Sequence, residues 1–186
     1  MIMKTRIAVA VVGCAAALAA GATAALDSQD ASAAMAGAAG SAVSRCVTEQ
    51  LSAGLHGFQA GLGNRGLILT LTNTGNGSCA LDGYPDLGLE NASHHVLPSH
   101  TDLGSTYFDP DPGRSPIVLS PGETASADLA YFSGTGGPTD SVATYLEVTP
   151  PNAYLHLTVR IPGAPVRIDR GRLYVTAMAR HTPYNT

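Results

Sequence analysis

The densest set of side chains able to do chemistry lies between residues 94 and 102: His94, His95, His100 and Asp102. Neutral imidazoles at close spacing can hold zinc or copper, which makes the His94–His100 loop a candidate metal-binding segment. Adjacent histidines on an extended chain point to opposite sides, however, so His94 and His95 do not easily face one ion. Surface histidines of a polar loop are the simpler expectation, and no metal is assigned. His56, His156 and His181 are scattered and add no spacing argument. Asp109-Pro-Asp111-Pro-Gly113 brings two carboxylates together. Calcium asks for six or more oxygens, and the prolines restrict the wrapping such a loop needs. A solvated turn is expected there. Gly61-Leu-Gly63-Asn-Arg-Gly66 spells GxGxxG, which holds a pyrophosphate only where a strand enters and a helix leaves. Here an alternating strand leaves it, so an ordinary hairpin loop is expected. No serine lies in GxSxG. Asn76-Gly-Ser78 and Asn91-Ala-Ser93 match a glycosylation sequon that matters only in a eukaryotic host. No catalytic residue and no cofactor are assigned, and the chain is not expected to be an enzyme.

The elements that would position such groups begin after an export signal. Met1 to Arg6 is short and basic, and Ile7 to Ala25 carries no charge. A basic start, an apolar run and small-residue steps such as Ala22-Thr-Ala24 predict a signal peptide over residues 1–26. Val11-Val-Gly-Cys14 resembles a lipobox, which would anchor the chain through lipidated Cys14. The apolar run continues beyond Cys14, which favours cleavage and release over that anchor and over a retained membrane helix. Residues 27–44 are rich in Ala, Ser and Gly without apolar periodicity, a flexible tether. Residues 45–186 form one domain, large enough to bury a core without a metal. The formal charge is −4 and becomes more negative once Lys4 and Arg6 leave with the signal. A net acidic chain argues against nucleic-acid binding. The charge is uneven: residues 82–128 are acidic apart from Arg114, whereas Arg160, Arg167, Arg170, Arg172 and Arg180 face only Asp169 in the last stretch. Either the basic side meets an anionic envelope polymer, or the two parts neighbour each other and balance.

Period two dominates the domain. Leu67, Leu69 and Leu71 alternate with Thr70 and Thr72, and Leu155, Leu157, Val159 and Ile161 alternate over Tyr154 to Ile161. Ala125 to Phe132, Leu146 to Val148, Val166 to Ile168 and Leu173 to Ala177 are further strands, with shorter ones at Leu87 to Leu89 and Ile117 to Leu119 and an opening one within Leu51 to Phe58. Asn76-Gly, Asp82-Gly, Pro121-Gly and similar steps punctuate them. The fold class is all-β: an antiparallel, immunoglobulin-like β-sandwich of about seven to nine short strands.

Placed on those strands, Thr72-Asn73, Cys79-Ala-Leu81-Asp-Gly83-Tyr84-Pro85, Leu119-Ser-Pro121-Gly122-Glu123 and Val148-Thr-Pro-Pro151 resemble the actinobacterial secreted domain-of-unknown-function family 4232. The likeness runs over roughly residues 46 to 178 and implies fold and address without an activity. It also implies that Cys46, which follows the tether, pairs with Cys79. The pair would then clamp the first two strands at one end, around a hairpin turn near Leu62-Gly63. Leu55 opposite Leu69 leaves a bulge or a one-residue ambiguity in that hairpin. Many members carry two more cysteines, expected near Pro138-Thr139 and Asp169-Arg170; both are absent here. The functional expectation is an exported, monomeric, non-catalytic envelope or secreted module that binds protein or glycan through loops at one end of the sandwich. The alternative is an envelope metal-binding protein using the His94–His100 loop.

Overall fold

The computed structural model describes residues 43–180. The signal peptide over residues 1–26, Cys14, most of the 27–44 tether and His181 lie outside the described residues. Among the described residues, twelve strands follow a single 3-10 turn at Thr48–Gln50: β1 Leu51–Gly61, β2 Asn64–Asn73, β3 Cys79–Leu81, β4 Asp86–Glu90, β5 Val96–Leu97, β6 His100–Leu103, β7 Ile117–Leu119, β8 Thr124–Ser133, β9 Ser141–Ala143, β10 Tyr145–Thr149, β11 Leu157–Arg160 and β12 Val166–Val175. The domain is all-β. The larger sheet runs β1-β2-β8-β12-β6 with β9 on β12; a second runs β11-β10-β4-β5; β3 and β7 form a third.

Alternation explains the core. Leu67, Leu69 and Leu71 on β2, Ala127, Leu129 and Tyr131 on β8, and Leu173 and Val175 on β12 all turn inward. They meet Leu87 and Leu89 of β4, Leu146 and Val148 of β10, and Leu81, Ile117 and Leu119 of the small sheet in one continuous cluster. β1 and β2 close through Leu62 (φ 48°) and Gly63 (φ 87°), a two-residue turn with positive φ at both central positions. Pairing is regular from Leu51↔Asn73 to His56↔Ile68 and then shifts to Gln59↔Gly66. The one-residue ambiguity of the hairpin is therefore a bulge at Gly57-Phe58, with Gly57 at φ 62°.

Cys46 and Cys79 are bonded, with Cα atoms 4.8 Å apart. The segment before β1 runs beside β3, Cys46 N–H donating to Ala80 (2.9 Å) and Ala80 N–H to Ser44 (2.8 Å). Asn73 is fully buried beside this clamp. Its side-chain amide donates to the carbonyls of Gly77 and Leu119, each at 2.9 Å, and its side-chain oxygen accepts from Gly75 N–H. Its backbone N–H donates to Glu123 and its carbonyl accepts from Gly122. Tyr84 donates its hydroxyl to Asp111. Cys46, Cys79, Asn73 and the Leu119–Glu123 turn, which carry part of the family resemblance, thus meet in structural work at the end of the first hairpin away from its turn.

Four sequence expectations are corrected. The strand count is twelve rather than seven to nine, because β3, β5, β6 and β9 are too short to show periodicity. The sheets are not wholly antiparallel: β6 pairs parallel to β12, Arg172 opposite His100. The strand expected from Tyr154 starts at Leu157, since Tyr154 and Leu155 are exposed. Finally, the stretches at 166–168 and 173–177 belong to one strand, β12 Val166–Val175, interrupted by a bulge between Ile168 and Leu173.

Candidate functional site

The outer face of the larger sheet is not bare. Residues 105–111 cross it as a strap. Thr106 donates its hydroxyl to Asp128 on β8, and Asp111 accepts from the Ala177 N–H at 2.8 Å. Asp109, expected in a solvated turn, is only 4% exposed, so that expectation fails: the Thr106 and Asp111 hydrogen bonds hold the loop against the sheet. Burial raises the Asp109 carboxyl above the usual range. Burial also pushes Asp128 up to about 6, opposed by the Thr106 hydrogen bond and aided by the neighbouring Asp109. Asp128 is fully buried, and its second carboxylate oxygen has no hydrogen-bond partner.

The strap also delivers the Tyr107 and Phe108 rings to the turn end of the first hairpin, where Phe132 of β8 joins them. Each glycine of Gly61-x-Gly63-x-x-Gly66 seats one. A methyl added at Gly61 would lie 3.3 Å from the Tyr107 ring, at Gly63 2.6 Å from the Phe132 ring, and at Gly66 2.6 Å from the Phe108 ring. Tyr107 and Phe108 meet edge to face at 5.0 Å. The GxGxxG is an ordinary hairpin, as its context implied, but its glycines make room for side chains that sequence spacing alone does not connect.

Tyr107 and Phe132 remain half exposed, at 53% and 42%. With Tyr174, Asn64, Ser105, Asp169 and Arg170 they line a cleft of about 440 Å³. Arg170 reaches it from the β12 bulge, where Arg170 (φ 51°) and Gly171 (φ 63°) are both left-handed. Bulges re-aim side chains in this way, and a non-glycine residue held there is a pointer to function. Asp169 fixes the Arg170 guanidinium at 3.0 and 3.2 Å. The Arg172 guanidinium lies 5.4 Å from the Tyr174 ring centre and pairs with Asp102. Leu62, 87% exposed at the hairpin tip, completes this end. The arrangement offers aromatic faces beside planar hydrogen-bonding groups on a rigid frame.

The histidine loop does not assemble as one site. His95 is exposed, and His100 pairs with Asp102 at 3.3 Å. The Arg172 hydrogen bond holds the Asp102 carboxyl below the usual range. His94 turns instead to Glu90, at 2.7 Å. Among the described residues, the one group of three metal-ligating side chains that converges is Glu90, Glu147 and His156, which sequence spacing did not suggest. The acidic and basic stretches neighbour each other, through Arg172 with Asp102 and Arg180 with Glu123.

The domain-of-unknown-function model DUF4232 matches residues 46–179. The chain belongs to this family. No curated protein and no solved structure matches it. The positions where the family resemblance implied a second cysteine pair do come together in this DUF4232 domain: Pro138, Thr139 and Arg170 line one cavity, beside the Ile168↔Ser141 pairing of β12 and β9. The Cys46–Cys79 bond points to an oxidising, extracytoplasmic environment. No helix among the described residues is long and apolar enough to cross a membrane.

Proposed function

We propose that this is an exported, non-catalytic, monomeric module that binds a glycan in the cleft between Tyr107, Phe132 and Tyr174. The scaffold is read as an immunoglobulin-like sandwich, a reading supported by the two larger sheets closing over one core. The observation that carries the proposal is the seating of two of these rings, Tyr107 and Phe132, on Gly61 and Gly63. That packing fixes the rings before any ligand arrives, so little side-chain entropy is lost on binding. Sugar rings present flat C–H faces and a rim of hydroxyls. Aromatic faces carry negative potential that attracts polarised C–H groups, while Asn64, Asp169 and Arg170 can fork hydrogen bonds to hydroxyl pairs. Pre-formed concave sites with a few placed polar groups are where small ligands bind. Both cysteines of the domain are committed to the disulfide, so neither offers a thiol nucleophile.

The test is calorimetric titration with neutral and anionic oligosaccharides of several ring types. Binding that Tyr107→Ala and Phe132→Ala each weaken tenfold or more supports the proposal. Binding to none of them at millimolar concentration, or binding indifferent to both variants, rejects it. Capture of a protein ligand through the same residues would also reject the glycan assignment.

A further inference from the structure

We propose that Glu90, Glu147 and His156 bind a single divalent transition-metal ion on the outer face of the second sheet, at residues that do not line the aromatic cleft. Two neighbouring strands, and the residue just before a third, put the ligands there. On β4 and β10, Glu90 lies opposite Tyr145 and Glu147 opposite Gly88, so both glutamates share one face with a two-residue stagger. On β11, Thr158 lies opposite Glu147, and His156 precedes it by two residues on the same face. One potential ligand atom from each of Glu90, Glu147 and His156 lies within 4.8 Å of the other two.

Two further observations point to a ligand rather than to a chance cluster. The first is room made for the carboxylate. A methyl at Gly88 would occupy the space of the Glu147 carboxylate, so the missing side chain lets Glu147 lie across β4 toward Glu90. The second is charge. Glu90 is 6% exposed, yet its ion pair is with a histidine, His94, and that of Glu147 is with His156 at 3.5 Å. Among the described residues no arginine pairs with either glutamate. Two facing carboxylates, one of them buried, are costly unless a cation or a proton compensates them.

His94 completes the arrangement as a positioning residue. Its left-handed backbone (φ 59°) turns the ring back over Tyr145, 4.2 Å between centroids and 18° from parallel. Asn91 holds that turn by accepting from the N–H groups of Ser93 and His95. Held in this way, the His94 Nδ1 fixes one oxygen of Glu90 and leaves the other for the ion. A set of two carboxylates and one imidazole suits zinc, which takes such ligands with an open fourth position for water. Copper should bind the same atoms more tightly, whereas magnesium and calcium prefer all-oxygen sites.

Equilibrium dialysis of the mature secreted protein against zinc chloride tests this. One zinc per chain is expected, with affinity falling at least tenfold in Glu147→Gln and in His156→Ala and unchanged in His95→Ala and His100→Ala. Gly88→Ala, which fills the cradle without removing a ligand, should also weaken binding. Zinc should raise the melting temperature of the wild type but not of Glu147→Gln, provided that both variants show wild-type circular dichroism. Absence of a stoichiometric site at 100-fold excess zinc over protein, or binding lost in His100→Ala and kept in Glu147→Gln, would overturn the assignment. If Glu147→Gln and His156→Ala fail to fold, the Gly88→Ala result alone decides: undiminished binding there rejects the site.

Discussion

Replacing Asp128 by Asn should stabilise the domain at neutral pH and flatten part of its pH dependence. Asp128 sits under the 105–111 strap, fully buried, with one oxygen taking the Thr106 hydroxyl and the other unpartnered. Burial raises its carboxyl from 3.8 to about 6. Because the folded-state value is the higher one, the fold prefers the neutral acid. The associated stability is fully present below 3.8, is lost as pH rises toward about 6, and stays lost above it. About two units at roughly 1.4 kcal/mol each set a ceiling near 3 kcal/mol. The buried amide that Asn places where the second oxygen has no partner offsets part of this, leaving about 1.5–2 kcal/mol. Asn keeps an acceptor for Thr106, never ionises, and places an amide where the unpartnered oxygen lies. Urea unfolding of both proteins from pH 3.5 to 8 should therefore show the variant gaining on the wild type through that window, with a constant difference above pH 7. Taking the difference cancels Asp111 and Glu123, whose carboxyls are lowered and whose stabilisation disappears in acid instead. A wild-type-minus-variant difference that does not change with pH would refute the buried-acid reasoning.

Reduction of the Cys46–Cys79 bond, or Cys46→Ser, should cost about 4 kcal/mol by loop closure, and the double Ser variant should cost the same in thermal unfolding. Asn73→Ala should lower stability by about 2–4 kcal/mol in urea, because it strips partners from Gly75, Gly77 and Leu119 in a buried setting. Gly63→Ala should displace the Phe132 ring and strain a turn residue at positive φ, costing about 1–2 kcal/mol, with a change in the Phe132 ring signals by nuclear magnetic resonance. Intact mass of the exported protein should lack residues 1 to about 24; a diacylglyceryl group on Cys14 would indicate a lipid anchor instead.

What could be read from the chain follows from length and regularity. β2 and β8 are long enough for their alternation to stand out, and Leu67, Leu69 and Leu71 are buried as the pattern implies. The first hairpin was legible to within one residue, and the bulge at Gly57 accounts for that residue. β6 was not legible, because His-Thr-Asp-Leu has no apolar face and is a strand only through its parallel pairing with β12. The two candidate sites were hidden for a different reason. Tyr107, Phe132 and Arg170 belong to a strap, a strand end and a bulge, and Glu90, Glu147 and His156 to two strands and the residue before a third, so only tertiary contact unites them. The one signal within reach was glycine inside a strand. Gly66 in β2 and Gly88 in β4 each leave space that another side chain fills, Phe108 in one case and Glu147 in the other.

The cleft between Tyr107, Phe132 and Tyr174 is proposed as a pre-formed glycan site. Titration of isotopically labelled domain with the oligosaccharide panel, followed by backbone and aromatic chemical shifts, tests it most directly. Saturable shifts confined to Asn64, Tyr107, Phe132, Asp169, Arg170 and Tyr174, lost in Tyr107→Ala, are the predicted result. Shifts centred elsewhere, or none at any ligand concentration reached, would contradict it.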